Sequence, residues 1–229
     1  MPRRIDSRLI RSACAGLLVC LAARGEAQEL PRAPHADFVP PPAGSYELPV
    51  IDKAPNGRVL DSDGRRWLFS RFTRGRVTLV SFIYTYCVDP VGCPLAYETM
   101  ARLRELLLAR PELARATRFV SLSFDPVNDT PDAMRAYGGK FADPASPLQW
   151  FFLTTRSVED LAPLTAGFGQ DVAVQVDDTG RPMRLYNHML KVFLTDARGR
   201  IREIYSPVFL VPEMMLNDIE TLVLEQHAD

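Results

Sequence analysis

Cysteine and histidine are scarce in this chain, with four and three among 229 residues. A closed zinc site of four ligands is therefore hard to assemble, and no fourth donor is evident. There is no excess of charge of either sign. The 27 Lys and Arg against 28 Asp and Glu leave a net charge of -1 with no basic stripe, which argues against a nucleic-acid surface. Long apolar runs are missing too. The one near the N-terminus, Ala13–Ala23, falls short of the ~20 residues that a comfortable membrane span needs. No internal repeat and no low-complexity tract interrupts the chain.

What is present begins with an export signal over residues 1–27. Arg3, Arg4, Arg8 and Arg11 make a basic start, Ala13–Ala23 an apolar middle, and Gly25-Glu26-Ala27 an imperfect cleavage site. The segment is either cleaved or retained as an anchor, the only contact with a membrane that the sequence suggests. Val19 before Cys20 is a poor match to a lipoprotein site, so Cys14 and Cys20 are expected to leave with the signal. Cleavage would take the net charge to -4 and leave a single cysteine pair, Cys87 and Cys93, in a compartment where disulfides persist. The simplest reading of such a pair is a structural Cys87–Cys93 bridge.

The 19 prolines exceed the usual share of about 5%, and many cluster early. Residues 28–45 read as a flexible Pro-rich tether, with His35 a solvated linker residue rather than a copper-gathering one. The working domain is expected over 46–229. Tyr46–Ile51 looks like a first strand, and Val59–Phe69 a hairpin turning at Asp63-Gly64. Val77–Tyr84 is nearly all apolar and β-branched, as in a strand covered on both faces. From Pro94 the spacing turns helical, with Ala96, Met100, Leu103 and Leu107 on one face. A strand over Arg118–Phe124 precedes a helix begun by Thr130-Pro131 and running to about Phe141. Then come a strand at Trp150–Thr154 and a helix capped by Ser157. Two paired segments, Asp171–Val176 and Pro182–Tyr186, follow. A final hairpin, Met189–Thr195 with Ile201–Tyr205, precedes a closing helix, Pro212–Glu225. The alternation implies right-handed parallel crossovers. The fold class is therefore α/β: a mixed central sheet with helices on both faces and an N-terminal hairpin extension. Cysteines at the first strand-to-helix junction describe a thioredoxin-like fold.

Cys93 at the start of a helix favours a thiolate, which serves both disulfide exchange and soft-metal binding, so the position does not choose between them. Five residues, Val88–Gly92, separate the cysteines, where thioredoxin-type oxidoreductases use two. The longer loop lets both sulfurs face a common ion, and still permits a disulfide if the Cα atoms come within about 7 Å. A peroxiredoxin site is disfavoured, because Tyr84 stands where such a site needs Thr. Of the histidines, His188 alone sits inside the body rather than in a mobile segment. It lies just before the strand Met189–Thr195, where thioredoxins pack a cis-Pro against the cysteine pair. It reads as a third ligand, or else as a hydrogen-bonded structural residue. A Cys2His set accepts both Cu(I) and Cu(II). Met183 and Met189 are transient copper contacts or, more simply, packing residues.

Taken together, YTYC…CP at 84–94, SLSFDPVNDTPDAMRAYGGKF at 121–141, WFFLT at 150–154 and NHMLKVFLTDARGRI at 187–201 resemble the Sco/SenC family of copper chaperones, which assist cytochrome oxidase assembly. The similarity spans roughly Tyr46–Glu225. It implies a thioredoxin fold in the periplasm, soluble or tethered to the inner membrane. It also implies one copper ion on Cys87, Cys93 and His188, with an oxidase copper subunit or another cuproprotein as partner. The family usually has three residues between the cysteines; this chain has five. Asp125 is expected to orient the site or to cap the Val127–Thr130 turn. The competing class is an enzyme, a thiol–disulfide oxidoreductase with Cys87 and Cys93 as its redox pair and no metal.

Overall fold

The computed structural model describes residues 38–89 and 92–228. The export signal, Cys14, Cys20, the first part of the tether with His35, and Pro90-Val91 of the cysteine loop lie outside the described residues. In chain order the elements are β1 (Asp52–Lys53), β2 (Arg58–Leu60), β3 (Arg66–Leu68), α1 (Ser70–Thr73), β4 (Val77–Ile83), α2 (Gly92–Leu108), α3 (Pro111–Ala116) and β5 (Thr117–Ser123). They continue with α4 (Pro131–Gly138), β6 (Gln149–Leu153), α5 (Val158–Gly167), β7 (Val172–Val176), β8 (Pro182–His188), β9 (Val192–Thr195), β10 (Arg200–Tyr205) and α6 (Pro212–Ala228).

Six strands form one mixed sheet in the order β1-β10-β9-β4-β5-β6. β4, β5 and β6 run parallel, while β9 lies antiparallel to β4 and is continued by β10 and β1. β4 is buried along almost its whole length, and its side chains alternate between two cores. Val77 and Leu79 join Met100, Leu103 and Leu107 of α2 and Met215, Ile219 and Leu222 of α6. Val80 and Phe82 turn to the other face, against Phe72 of α1 and Leu161 and Leu164 of α5. The hairpin β2–β3 and the ribbon β7–β8 are separate two-stranded sheets. Among the described residues no helix is long and apolar enough to cross a membrane.

Four local expectations change. Tyr46–Ile51 is not a strand; only Asp52–Lys53 pairs, with Ile201 and Arg200. Pro49 has no N–H to give a ladder, and the Leu48 carbonyl is taken by the Arg202 guanidinium instead. A short helix, α3, appears where none was read, with Pro111 in its first turn and Glu112 beside it. α2 begins at Gly92, so Cys93 and Pro94 are its second and third residues. Proline is tolerated there because the first-turn N–H groups have no partner within the helix. α4 ends at Gly138, and Gly139 (φ 45°) then opens a single tight turn to Phe141. The Thr130 and Ser157 caps form as expected, accepting from the backbone N–H of Ala133 and Asp160.

Candidate functional site

β4 and β5 end side by side. Ile83 stands opposite Ser123, and the Phe124 N–H donates to the Ile83 carbonyl at 3.0 Å. Their following loops, 84–89 and 124–130, are therefore neighbours, and two carboxylates stitch them together. Asp129 is fully buried and accepts from the Thr85 N–H (3.1 Å), the Thr85 hydroxyl (2.6 Å) and the Ser123 hydroxyl (2.5 Å). Burial lifts its pKa, against the pull of these donors, and the nearby Asp125 charge adds to the rise. Asp125 accepts from the Tyr86 hydroxyl and from the Asn128 amide at 2.7 Å. Burial opposes its charge, but the Tyr86 and Asn128 donors outweigh burial and hold its pKa below the ordinary value. Asp125 also accepts from the Val127 and Asn128 N–H groups at 3.3 Å. Turn capping and bracing of Tyr86 are thus both performed by one side chain. Sequence reading missed Asp129; the second acid of the Asp-Pro-x-x-Asp-Thr-Pro run was its signal.

The braced segment leads straight into Cys87, whose N–H donates to the Tyr84 carbonyl at 3.3 Å. Cys87 and Cys93 are joined in a disulfide with Cα atoms 6.6 Å apart, both half-buried against the core that contains Tyr84 and Phe82. The five-residue spacing thus brings the Cα atoms within the ~7 Å that a disulfide requires.

His188 is the last residue of β8, not part of a loop before β9. Its register partner across the ribbon is Val172. The imidazole packs edge-on against Phe124 and Tyr84, with ring centroids 4.8 and 6.0 Å away. Burial lowers its pKa, and the Asp89 carboxylate pulls in the opposite direction. His188, Cys93, Gly92 and Tyr84 line one small cavity of about 30 Å³. The described arrangement therefore brings His188 and Cys93 to a common space. With the sulfurs bonded to each other, no three His, Cys, Asp or Glu among the described residues are placed to hold a metal. Met189 and Met183 are exposed. Met183 stands near the start of β8, five residues before His188. His227 lies within α6 rather than in a mobile tail.

A family model described as SCO1/SenC matches residues 58–224. The chain belongs to the SCO1/SenC family. Similar solved structures include ScoI from Bradyrhizobium japonicum with copper bound, at 21% identity and TM-score 0.59, covering 73% of this chain and 98% of that one. A SCO1/SenC family lipoprotein from Bacillus anthracis is 24% identical with TM-score 0.61, over 78% and 99% of the two chains. BsSco, described as a member of the Sco family of cytochrome c oxidase assembly proteins with a disulfide switch, is 21% identical with TM-score 0.57, over 77% and 98%. These likenesses establish the thioredoxin-like fold. No curated protein matches the chain by sequence.

Proposed function

We propose that this SCO1/SenC protein is an exported copper carrier that loads one ion on Cys87, Cys93 and His188 and passes it to a cytochrome oxidase subunit or another cuproprotein. The observation that carries the reading is the shared cavity of Cys93 and His188 at the joined ends of β4, α2 and β8. Two thiolates and an imidazole suit copper in either oxidation state. The copper-bound ScoI and the assembly role stated for BsSco support the same assignment.

The disulfide makes loading conditional. A dithiol reductant, itself oxidised to a disulfide, converts the Cys87–Cys93 bond into two thiols by exchange, and copper then displaces the thiol protons. Release proceeds in reverse, partner thiols or imidazoles replacing the three donors one at a time. The ion is cargo, so the site needs access from one side; Val88 and Met189 are both exposed beside it. Residues 1–27 direct export to the periplasm, the tether spaces the domain from the membrane if the signal is retained, and residues 46–229 do the binding.

The test is to reduce the protein, add Cu(I) anaerobically and count bound copper in wild type, Cys87→Ser, Cys93→Ser and His188→Ala. One equivalent in wild type and loss in both cysteine variants is the expected result. A reduced wild type that surrenders its copper to a weak chelator refutes the carrier. The closed disulfide also favours a second reading, a thiol–disulfide oxidoreductase acting on cysteines of the cuproprotein. Reduction of a partner disulfide that His188→Ala leaves unchanged would select it.

A further inference from the structure

A cavity of about 710 Å³ opens beside the starts of β5 and β6, at the far end of the sheet from the cysteines. Arg118, the second residue of β5, and its register partner Gln149, the first of β6, stand on its wall with Arg71 of α1 and the rings of Trp67, Trp150 and Phe151. Arg118 Nη1 donates to the Arg71 carbonyl at 2.8 Å and to the Arg74 carbonyl at 3.4 Å, which ties the guanidinium to the C-terminal end of α1. Its Nε is buried without a hydrogen-bond partner, and so is Nη1 of Arg76, the residue before β4. The Arg71 guanidinium stacks over Trp67, 4.2 Å from the ring centroid, a contact that engages its flat face and none of its N–H groups.

Among the described residues Arg71, Arg76 and Arg118 form no ion pair. The aspartates on the same wall have donors of their own: Asp61 takes Trp67 Nε1 at 2.7 Å, Asp63 lies 3.4 Å from Arg65 and 3.7 Å from Arg135, and Asp143 accepts from the Ala145 N–H at 2.9 Å. Burial first, then the charges of Arg76 and Arg71, push the Arg118 pKa down to about 10. Three guanidiniums are thus gathered without a counter-charge, and Arg76 and Arg118 are half-buried. Taking charge out of water without pairing it is costly, and a bound anion would offset that cost.

We propose that this cavity binds an oxyanion ligand, a carboxylate or phosphate carried on a flat apolar body, held between Arg71 and Arg118. A guanidinium offers a planar fork of donors that fits either group. The aromatic walls suit an apolar body better than a bare ion, and the volume lies within the ~300–1,000 Å³ of small-molecule sites. The proposal does not depend on the copper reading, because β5 runs from Arg118 here to Ser123 beside the cysteine-bearing loop.

Trp67 and Trp150 are the chain's two tryptophans and both line the cavity, so intrinsic fluorescence reports on its walls. The full chain is titrated with phenyl phosphate, benzoate, inorganic phosphate and benzyl alcohol at constant ionic strength, in wild type, Arg71→Ala and Arg118→Lys. Expected is a saturable change with phenyl phosphate or benzoate, whichever group the fork prefers. Half-saturation should come at a concentration at least about tenfold below that of inorganic phosphate, which lacks the ring, with no response to benzyl alcohol. Each variant should weaken binding of the preferred anion by about tenfold, the loss of one charge-assisted hydrogen bond. No saturable change with either aromatic anion at millimolar concentration overturns the proposal. An equal response to benzyl alcohol, or wild-type binding in both variants, overturns it as well. Arg118 also holds the end of α1, so if Arg118→Lys does not fold, Arg71→Ala decides, since Arg118 bonds only the Arg71 backbone.

Discussion

The ribbon β7–β8 and the hairpin β9–β10 turn on the same device and end in opposite surroundings. In each, an Asp begins a five-residue turn with Gly fourth and Arg fifth, Asp177–Arg181 and Asp196–Arg200. The Asp N–H donates to the Arg carbonyl at 2.9 Å, and the Gly N–H returns to the Asp carbonyl at 2.9 Å. The Asp carboxylate then accepts from the third and fifth N–H groups. Gly180 and Gly199 take φ of 79° and 76°, the left-handed region in which glycine is unstrained. Asp61–Arg65 repeats the pattern at β2–β3.

What differs is the packing around the turn. β9 is buried throughout, and Asp196 is sealed in with Arg202, which also reaches the Leu48 carbonyl and Glu225. β7–β8 leaves Val174, Val176 and Met183 exposed, and only its base is packed, by Tyr186 and His188 against Phe124 and Tyr84. One turn closes the sheet; the other holds out an arm whose root is a candidate ligand. Identical local chemistry therefore does not imply identical stability, because tertiary burial sets the energy.

The largest effect is expected at Asp196. Asp196→Ala leaves Arg202 buried without a main partner, at a cost of about 3 kcal/mol by urea unfolding. Burial opposes the Asp196 charge, yet the Arg200 backbone, Arg200 and Arg202 hold its pKa below the model-peptide value of 3.8. A depressed carboxylate pKa stabilises the fold above pH 3.8, and that contribution is lost as pH falls below it toward the folded-state value. Asp196→Asn should therefore lose stability at neutral pH and show a shallower acid limb than wild type. An unchanged acid limb would show that the Arg202 network does not anchor this end of the sheet.

Glycine substitutions give the next contrast. A Cβ at Gly199 would stand 3.2 Å from Arg74 Cγ and 3.3 Å from the Thr73 carbonyl, whereas one at Gly180 meets nothing within 4 Å. Gly180→Ala should cost about 1 kcal/mol from backbone strain alone, and Gly199→Ala about 2. Equal costs would mean that the closer packing of the second turn is immaterial. A smaller effect needs no mutation. Amide exchange in β7–β8 should be faster than in β9–β10, since few buried contacts oppose local opening; equal protection would make the arm part of the core unit.

Much of this was legible in the residues. The apolar run at Val77–Tyr84, the caps at Thr130 and Ser157, and the three Asp-started turns write their conformations locally. The interactions that were missed are written nonlocally. Leu48 is kept out of a strand by Arg202, 154 positions away, and Asp129 acts through Thr85, 44 positions before it. α3 was overlooked because six residues are too few to show a period. Cys87, Cys93 and His188 stood out through their rarity, whereas the support that Asp129 gives to the loop before Cys87 did not, because its partners Thr85 and Ser123 are brought to it only by the pairing of β4 with β5.

The central claim is that the exposed arm exists to set His188 beside the cysteine pair as a copper ligand. X-ray absorption at the copper edge of the reduced, Cu(I)-loaded protein measures this directly. The account expects two sulfur scatterers and one imidazole nitrogen in wild type, with the nitrogen lost in His188→Ala. A sulfur-only shell in wild type, or an identical spectrum in His188→Ala, would contradict it.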